Sequence, residues 1–423
     1  VADSQAVELR RDLNLIDCVG VGLGAIIGAG IFVVTGVAAG VAGPAFLLSL
    51  LLAGVAATCN ALSSAQLAAT YPQSGGTYEY GYRLLTPSAG FAAGWMFLAS
   101  KLSAGGTVAL GFASYLERLL PGIALRPIAV AAVVALTIAN LFGIKKAGLL
   151  NTAIVCVTVG TLVYFVFGGV PHINPANWEP FAPHGVRGIL EAAGLIFFAY
   201  TGYARIATLG EEVHEPKKTI PRAIIIALSI AIILYGAVAF IAVSTIGSDA
   251  MAKSASPLFV SAETFSAPGV RLVLGVGAVT AMLGVLLSQV IGISRVLLAM
   301  ARRNDLPAPL SHISTKYAVP DVGILLTGTI IALLAVFGTL EWVVSTATFT
   351  ILLYYSITNI AALKMKPEDR LFPNAVPVVG LITCLLLAVS LPLRTIGLGI
   401  GLLAIGFVVR AVVHALSKGQ PSS

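Results

Sequence analysis

The run Gly20-Val21-Gly22-Leu23-Gly24-Ala25-Ile26-Ile27-Gly28-Ala29-Gly30-Ile31-Phe32 holds five glycines within eleven residues. A glycine inside a helix costs about 1 kcal/mol relative to alanine, so such a run needs a reason. Two readings fit. Gly20, Gly24 and Gly28 stand at the four-residue spacing of a close-packing helix face. Alternatively, Gly28-Ala29-Gly30 interrupts the helix and frees backbone polar groups, which is tolerated inside a bilayer only where they line a cavity or bind something. A second segment, Phe197-Phe198-Ala199-Tyr200-Thr201-Gly202-Tyr203-Ala204-Arg205, sets one glycine among aromatics and ends on a cation. The chemistry open to a pair of broken helices is specific. A half-helix N-terminus offers N–H groups and a partial positive charge, which suit a carboxylate. A half-helix C-terminus offers free carbonyls, which suit an ammonium. A zwitterionic α-amino acid matches both, whereas a sugar would need side-chain amides and carboxylates that these segments lack.

The elements that must carry these segments follow from composition. Of 423 residues, 10% are charged and 58% are hydrophobic. A soluble globular chain averages roughly 25% charged residues, so this one lacks the charge to cover a soluble surface. Disorder, collagen and a disulfide-rich secreted scaffold are excluded by the same apolarity and by the absence of a glycine period. Membrane β-barrels show short alternating segments, and this chain shows long continuous apolar runs. It reads as an integral membrane protein of helical spans, each needing about 20 apolar residues. Breaks at Gly/Pro/Asn clusters and charges place twelve spans at 15–41, 44–70, 88–116, 124–143, 147–170, 188–211, 222–246, 269–301, 322–340, 342–363, 373–392 and 395–415.

Twelve spans put both termini on one side. With that side cytoplasmic, 16 Lys and Arg fall inside and 6 outside, the asymmetry of the positive-inside rule. The net charge of +7 is therefore topology rather than a nucleic-acid footprint. The polar opening from Val1 to Asn14, with Arg10 and Arg11, reads as a cytoplasmic segment and not a cleavable signal. The longest stretch expected outside the bilayer is Gly247–Pro268, so no soluble domain is expected. Work done almost wholly within a membrane means a transporter or a channel. No Ser/His/Asp set, metal cluster or Walker-type loop appears, so neither an enzyme nor a cofactor is expected. Cys18, Cys59, Cys156 and Cys384 form no CxxC pair and read as small buried hydrophobes.

The two unusual segments fall in the first and sixth spans, corresponding members of two five-helix repeats. Paired interruptions at matching positions are the best sequence pointer to a secondary transporter's binding site.

At this point the residues resemble the amino acid–polyamine–organocation permeases. Gly24-Ala25-Ile26-Ile27-Gly28-Ala29-Gly30-Ile31-Phe32 looks like the first-helix motif of that superfamily. Phe197 to Tyr203, running on through Ala207-Thr208-Leu209-Gly210-Glu211-Glu212-Val213, resembles its sixth helix. Glu215-Pro216-Lys217-Lys218-Thr219-Ile220-Pro221-Arg222-Ala223-Ile224 is similar to its loop before the seventh. Ser294-Arg295, Met300-Ala301-Arg302 and Asp305-Leu306-Pro307 are similar to the end of its eighth.

The resemblance implies an all-α integral membrane protein with a leucine-transporter-like fold. That is two inverted five-helix repeats plus two C-terminal helices, twelve transmembrane helices in all, in the plasma membrane. In this chain, 1–14 would be a cytoplasmic segment, 15–170 the first repeat, 188–363 the second, 373–415 the last two helices and 416–423 a cytoplasmic tail. It implies amino acid transport by alternating access, driven by protons or by exchange. Carried over by position, the backbone of Ile27, Gly28, Ala29 and Gly30 would hold the substrate carboxylate. The backbone of Phe198, Ala199 and Thr201 would take the amine, and Tyr200 and Tyr203 would shape the pocket or its gates.

The departures bear on coupling and specificity. Many relatives place an acid just after the sixth-helix break, where this chain has Ala204-Arg205. Arg205 must face away from lipid, because a lipid-facing cation at mid-span is costly. It would pair with an acid or a carbonyl, or repel cationic substrates. Some relatives carry a fifth-helix lysine that works in proton coupling; the matching stretch here is Val155-Cys156-Val157-Thr158. Ala281-Met282-Leu283-Gly284 in the eighth helix offers no hydroxyl for a sodium cage. Lys101 sits midway along the third span, too deep to snorkel to water. Three roles are open to it: proton exchange, holding a substrate carboxylate, or capping unwound carbonyls. Arg295 would close the inner side through an ion pair or a carbonyl cap, or would simply snorkel. Glu191, Glu211, Glu212 and Asp17 are gate candidates or solvated helix-end acids. The rival readings are a polyamine or organic-cation antiporter, which needs an acidic pocket, and a channel, which needs a continuous pore.

Overall fold

The computed structural model describes residues 13–71, 75–142, 147–207 and 213–418. Regular structure among them is helical, apart from one isolated parallel bridge between Leu13 and Val213. The helices are α1 (Leu15–Ile26), α2 (Thr35–Ala42), α3 (Phe46–Thr70), α4 (Thr77–Leu84), α5 (Pro87–Leu119), α6 (Leu125–Leu141), α7 (Ala147–Gly169), α8 (Gly185–Tyr200), α9 (Ala204–Ala207), α10 (Pro216–Ala252), α11 (Pro257–Ala262), α12 (Val270–Arg302), α13 (Asp321–Phe337), α14 (Leu340–Leu363), α15 (Ala375–Ser390) and α16 (Leu393–Lys418). Among the described residues, eight helical stretches are long and apolar enough to cross a membrane, and α6, α13 and α15 are shorter apolar helices. One of the eight runs from Leu15 to Thr70. It is interrupted at Gly43, whose φ of +64° suits glycine alone, with Pro44 following. Thr339 caps α14 through Trp342 N–H at 3.3 Å, so the chain turns at Gly338–Thr339, close to the expected boundary between the spans 322–340 and 342–363.

The centre of the molecule is α5, packed against α14 and α12, with α1, α3, α8 and α10 clustered beside it. These helices bury long apolar faces, whereas α16 is mostly exposed along its most apolar stretch. The exposed residues of α16 are large aliphatics such as Ile400, Val408 and Val412, as a lipid-facing surface requires.

Two segments differ from the expected layout. Gly247–Pro268 is not simply a loop. α10 runs on past a kink at Gly247 to Ala252, and α11 folds back with Pro257, Leu258, Phe259, Ser261 and Ala262 buried. Glycines make that approach possible: a Cβ on Gly36 would lie 2.8 Å from the Met251 carbonyl oxygen, and one on Gly40 2.9 Å from Ala252 Cβ. The connection after the second span likewise folds into α4, which buries Thr77, Tyr78, Glu79, Tyr80 and Gly81.

α4 explains the Asp305-Leu306-Pro307 motif. The Asp305 side chain is 1% exposed. Its carboxylate accepts from Tyr78 Oη at 2.8 Å, from Tyr82 Oη and from Arg410 Nε at 2.7 Å. Beside it, Glu79 is held by Arg83 and Arg303. A connecting helix, the end of α12 and the far end of α16 thus meet on one buried carboxylate.

Candidate functional site

The first span breaks where its glycines cluster. Ile27 leaves helical geometry at φ −79°, ψ 100° while its N–H still reaches Leu23 O at 2.8 Å. The chain resumes as a wide π-turn over Gly30–Val34 before α2. Such turns inside helices are frequent at functional sites. Tyrosines satisfy carbonyls on both sides: Tyr235 Oη donates to Ile26 O and Tyr115 Oη to Phe32 O, each at 2.7 Å. Tyr235→Phe would leave the Ile26 carbonyl without this donor. A loss of about 1–3 kcal/mol is expected from an unsatisfied buried group, read as a lower unfolding midpoint.

The sixth span is interrupted more mildly, by a change of helix type. α8 ends at Tyr200, Thr201–Tyr203 forms a tight 3-10 turn, and α9 follows. Thr201 Oγ1 folds back onto Phe198 O at 2.9 Å. The two breaks are in direct contact. A Cβ on Gly202 would lie 2.3 Å from the Ala25 carbonyl carbon and oxygen, and one on Gly30 would lie 2.7 Å from Ala199 Cα. Ile27, Gly28, Ala29, Gly30, Phe198, Ala199, Tyr200, Thr201 and Tyr203 are all buried in this junction. The glycines therefore serve close approach and interruption together. Gly28 faces Val285, where a Cβ would come within 2.8 Å of a methyl group.

Two of the three mid-span cations join the junction. Lys101 Nζ lies 3.4 Å from Thr201 Oγ1 and 5.7 Å from the centre of the Phe97 ring. Among the described residues it forms no ion pair. Arg205 turns toward α12 and donates to both the backbone carbonyl and the hydroxyl of Ser288. Gly292 leaves room for it, since a Cβ there would lie 2.6 Å from the guanidinium. Arg205 is close enough to act electrostatically on Lys101. The middle of the molecule is thus a positive region of half-buried cations beside two helix breaks.

The remaining candidates lie elsewhere. Arg295 is exposed, and among the described residues no ion pair or hydrogen bond reaches it, so the inner-side cap is not formed by them. Glu191 is half-buried near the start of α8, within electrostatic reach of Arg187, Glu341 and His184. Asp17 caps α1 reciprocally with Asn14: Asn14 N–H reaches Asp17 Oδ2 at 3.0 Å, and Asp17 N–H reaches Asn14 Oδ1 at 3.1 Å. That is a structural cap. Glu211 and Glu212 lie outside the described residues. Sequence reasoning missed Tyr115, Tyr235 and Ser288, because an aromatic or serine in an apolar span carries no local mark of its distant partner.

A bundle of membrane-crossing helices with two broken helices meeting at a buried polar junction defines a membrane transporter. The amino acid permease family model matches residues 18–417, and the chain belongs to that family, within the amino acid–polyamine–organocation superfamily. Membership implies the leucine-transporter-like fold and an amino acid or related small molecule as substrate; members are transporters, not enzymes. An uncharacterized transporter of Mycobacterium tuberculosis is 40% identical over 413 residues, covering 97% of this chain and 93% of its own length. The methylthioribose transporter of Bacillus subtilis is 32% identical over 418 residues, covering 92% and 90%. The branched-chain amino acid permease BcaP of Bacillus subtilis is 29% identical over 436 residues, covering 96% and 94%. The chain is a multi-pass integral membrane protein.

Proposed function

We propose that the protein carries a neutral amino acid across the plasma membrane by alternating access, with both termini cytoplasmic. Twelve crossings follow if the Leu15–Thr70 stretch counts as two and the three shorter helices span as well. Residues 15–170 and 188–363 are then the inverted repeats, and 373–415 the added pair. The observation that carries the reading is the contact of the two breaks at Gly30–Ala199 and Gly202–Ala25. The substrate carboxylate sits on the backbone of Ile27, Gly28, Ala29 and Gly30. Its amine sits on the carbonyls of Phe198, Ala199 and Thr201, with Tyr200 and Tyr203 shaping the pocket.

A neutral rather than cationic substrate is favoured by Lys101 and Arg205. Two cations beside a junction repel a third, and a low-dielectric interior screens them weakly. The same charge argues against a polyamine antiporter. The branched-chain permease among the relatives fits this reading.

Lys101 is the proposed coupling group. It touches the turn that would take the amine, and among the described residues it has no anionic partner to hold its proton in place. The test is a panel of labelled amino acids in proteoliposomes, with and without an inward proton gradient. Uptake of neutral amino acids and stimulated counterflow are expected. No uptake of any amino acid would sink the proposal, and flux without counterflow would favour a channel. Lys101→Ala is expected to abolish the response to the proton gradient. Unchanged uptake and pH dependence in that variant would remove Lys101 from coupling.

A further inference from the structure

Behind the junction lies a second polar site. Asn60 and Ser63 stand one turn apart on α3, Tyr355 and Asn359 on α14, and Gly380 and Cys384 on α15. Tyr203, from the sixth-helix break, completes the group. Asn60, Ser63, Tyr203, Tyr355, Asn359 and Cys384 are each 0% exposed.

Part of the group is well bonded. Asn60 Nδ2 donates to Cys384 Sγ at 3.1 Å. Asn359 Nδ2 donates both to Asn60 Oδ1 and to the Tyr355 carbonyl. Those two acceptors fix the orientation of the Asn359 amide, so its Oδ1 is an acceptor aimed elsewhere. Gly380 leaves space for it: a Cβ there would lie 2.7 Å from Asn359 Oδ1.

The rest is unsatisfied among the described residues. Ser63 Oγ, Tyr203 Oη, Tyr355 Oη and Asn359 Oδ1 are buried and make no hydrogen bond to the described residues. The Tyr203 and Tyr355 rings are 5.5 Å apart. Their hydroxyls lie within hydrogen-bonding reach of each other but at poor geometry, which leaves bonding capacity on both, and both lie within electrostatic reach of the Cys384 thiol. Buried polar groups in native proteins are almost always paired, and a cluster of orphans marks an internal ligand. Each hydroxyl here both donates and accepts, while Asn359 Oδ1 only accepts. A water molecule matches that mixture, since buried waters make two to four hydrogen bonds to otherwise unsatisfied groups. A cation matches it poorly, because among these side chains there is no carboxylate.

We propose that Tyr203, Tyr355, Asn359 and Ser63 bind ordered water, which bridges the broken sixth helix to α14 and α3. The bridge couples the turn at Thr201–Tyr203 to the tenth span, so movement of that turn requires rearrangement of the water. The site does not depend on which substrate the protein carries.

The sign of a tyrosine-to-phenylalanine change tests it. In a dry site, Tyr203→Phe or Tyr355→Phe removes an unpaired hydroxyl and raises the unfolding midpoint. In a hydrated site, each removes a bond to water and strands its neighbours. We expect the purified full chain in nanodiscs to lose a few degrees of midpoint in either variant, with the double variant losing less than the sum. Radiolytic footprinting after rapid mixing into ¹⁸O-water is expected to oxidise Tyr203 or Tyr355 with ¹⁶O, the mark of slowly exchanging bound water. Raised or unchanged midpoints overturn the proposal. Destabilisation without ¹⁶O labelling overturns it in favour of a direct tyrosine–tyrosine bond. A midpoint that rises with sodium at constant ionic strength, and falls back in Asn359→Ala, overturns it in favour of a cation.

Discussion

Gly202→Ala is expected to reduce substrate uptake at least tenfold in proteoliposomes. The added methyl would lie 2.3 Å from the Ala25 carbonyl carbon and oxygen and 2.4 Å from Ile26 N. All three neighbours are backbone, so no side chain can rotate away. Overpacking of a fitted interior costs about 1–3 kcal/mol, occasionally more. Here the strain falls on the two breaks whose backbone is proposed to hold substrate. A displacement that weakened binding by about 1.4 kcal/mol would already account for tenfold. The adjacent contact should behave alike, since a Cβ on Gly30 would lie 2.5 Å from Ala199 Cβ. Gly160→Ala is the control: nothing lies within 4 Å of a Cβ there, so full uptake is expected. Wild-type uptake by properly inserted Gly202→Ala protein would dissolve the link between the junction and transport.

The second large effect is on stability. Asp305→Ala is expected to cost about 3–5 kcal/mol, because removing one member of a buried ion pair leaves the other uncompensated. Arg410 is the stranded partner, 13% exposed at its side chain and 2.7 Å from Asp305 Oδ1. Tyr78 and Tyr82 lose an acceptor at the same time. Asp305→Asn keeps the shape but not the charge and should also destabilise, through Arg410. Combining Asp305→Ala with Arg410→Met should recover part of the loss, since an apolar replacement relieves the stranded charge. The contrast is Lys366–Glu368, exposed at 74% and 73% and 3.8 Å apart. Lys366→Ala is expected to change stability by no more than about 0.5 kcal/mol. Thermal unfolding of the purified variants in one detergent orders these effects, and an Asp305→Ala midpoint equal to wild type would refute the clamp.

The candidate site was legible in unequal parts. Gly28-Ala29-Gly30 and the aromatic run around Gly202 stood out because glycine is expensive in a helix and conspicuous in an apolar span. Lys101 and Arg205 stood out because an intramembrane cation must have a use. Tyr115 and Tyr235, which satisfy the carbonyls flanking the first break, did not stand out. Neither did Ser288, which receives Arg205, nor Tyr355 behind Tyr203. Each is an ordinary residue of an apolar helix until a partner far along the chain is brought to it. Asp17 shows the reverse case: of the two readings open to it, gate acid or helix-end acid, its reciprocal cap with Asn14 gives it a local place at the helix end.

Composition by itself settled that this chain lives in a membrane and is built of helices. Scarcity of charge and unbroken apolar runs are properties of the chain alone, and a bilayer admits few answers to them. Local pattern also marked where helices turn or break, as at Gly43-Pro44 between the spans 15–41 and 44–70, because proline and glycine act on their own backbone. Which of two readings the glycines of the first span carried was decided only in three dimensions. Close packing and interruption look alike in sequence, and the fold shows both at once: Ile27 leaves helical geometry while Gly30 lies against Ala199. The folding-back of α11, the meeting of Tyr78, Asp305 and Arg410, and the polar site around Tyr355 belong to the same class. Each depends on contacts between residues distant in the chain, and no local pattern encodes those.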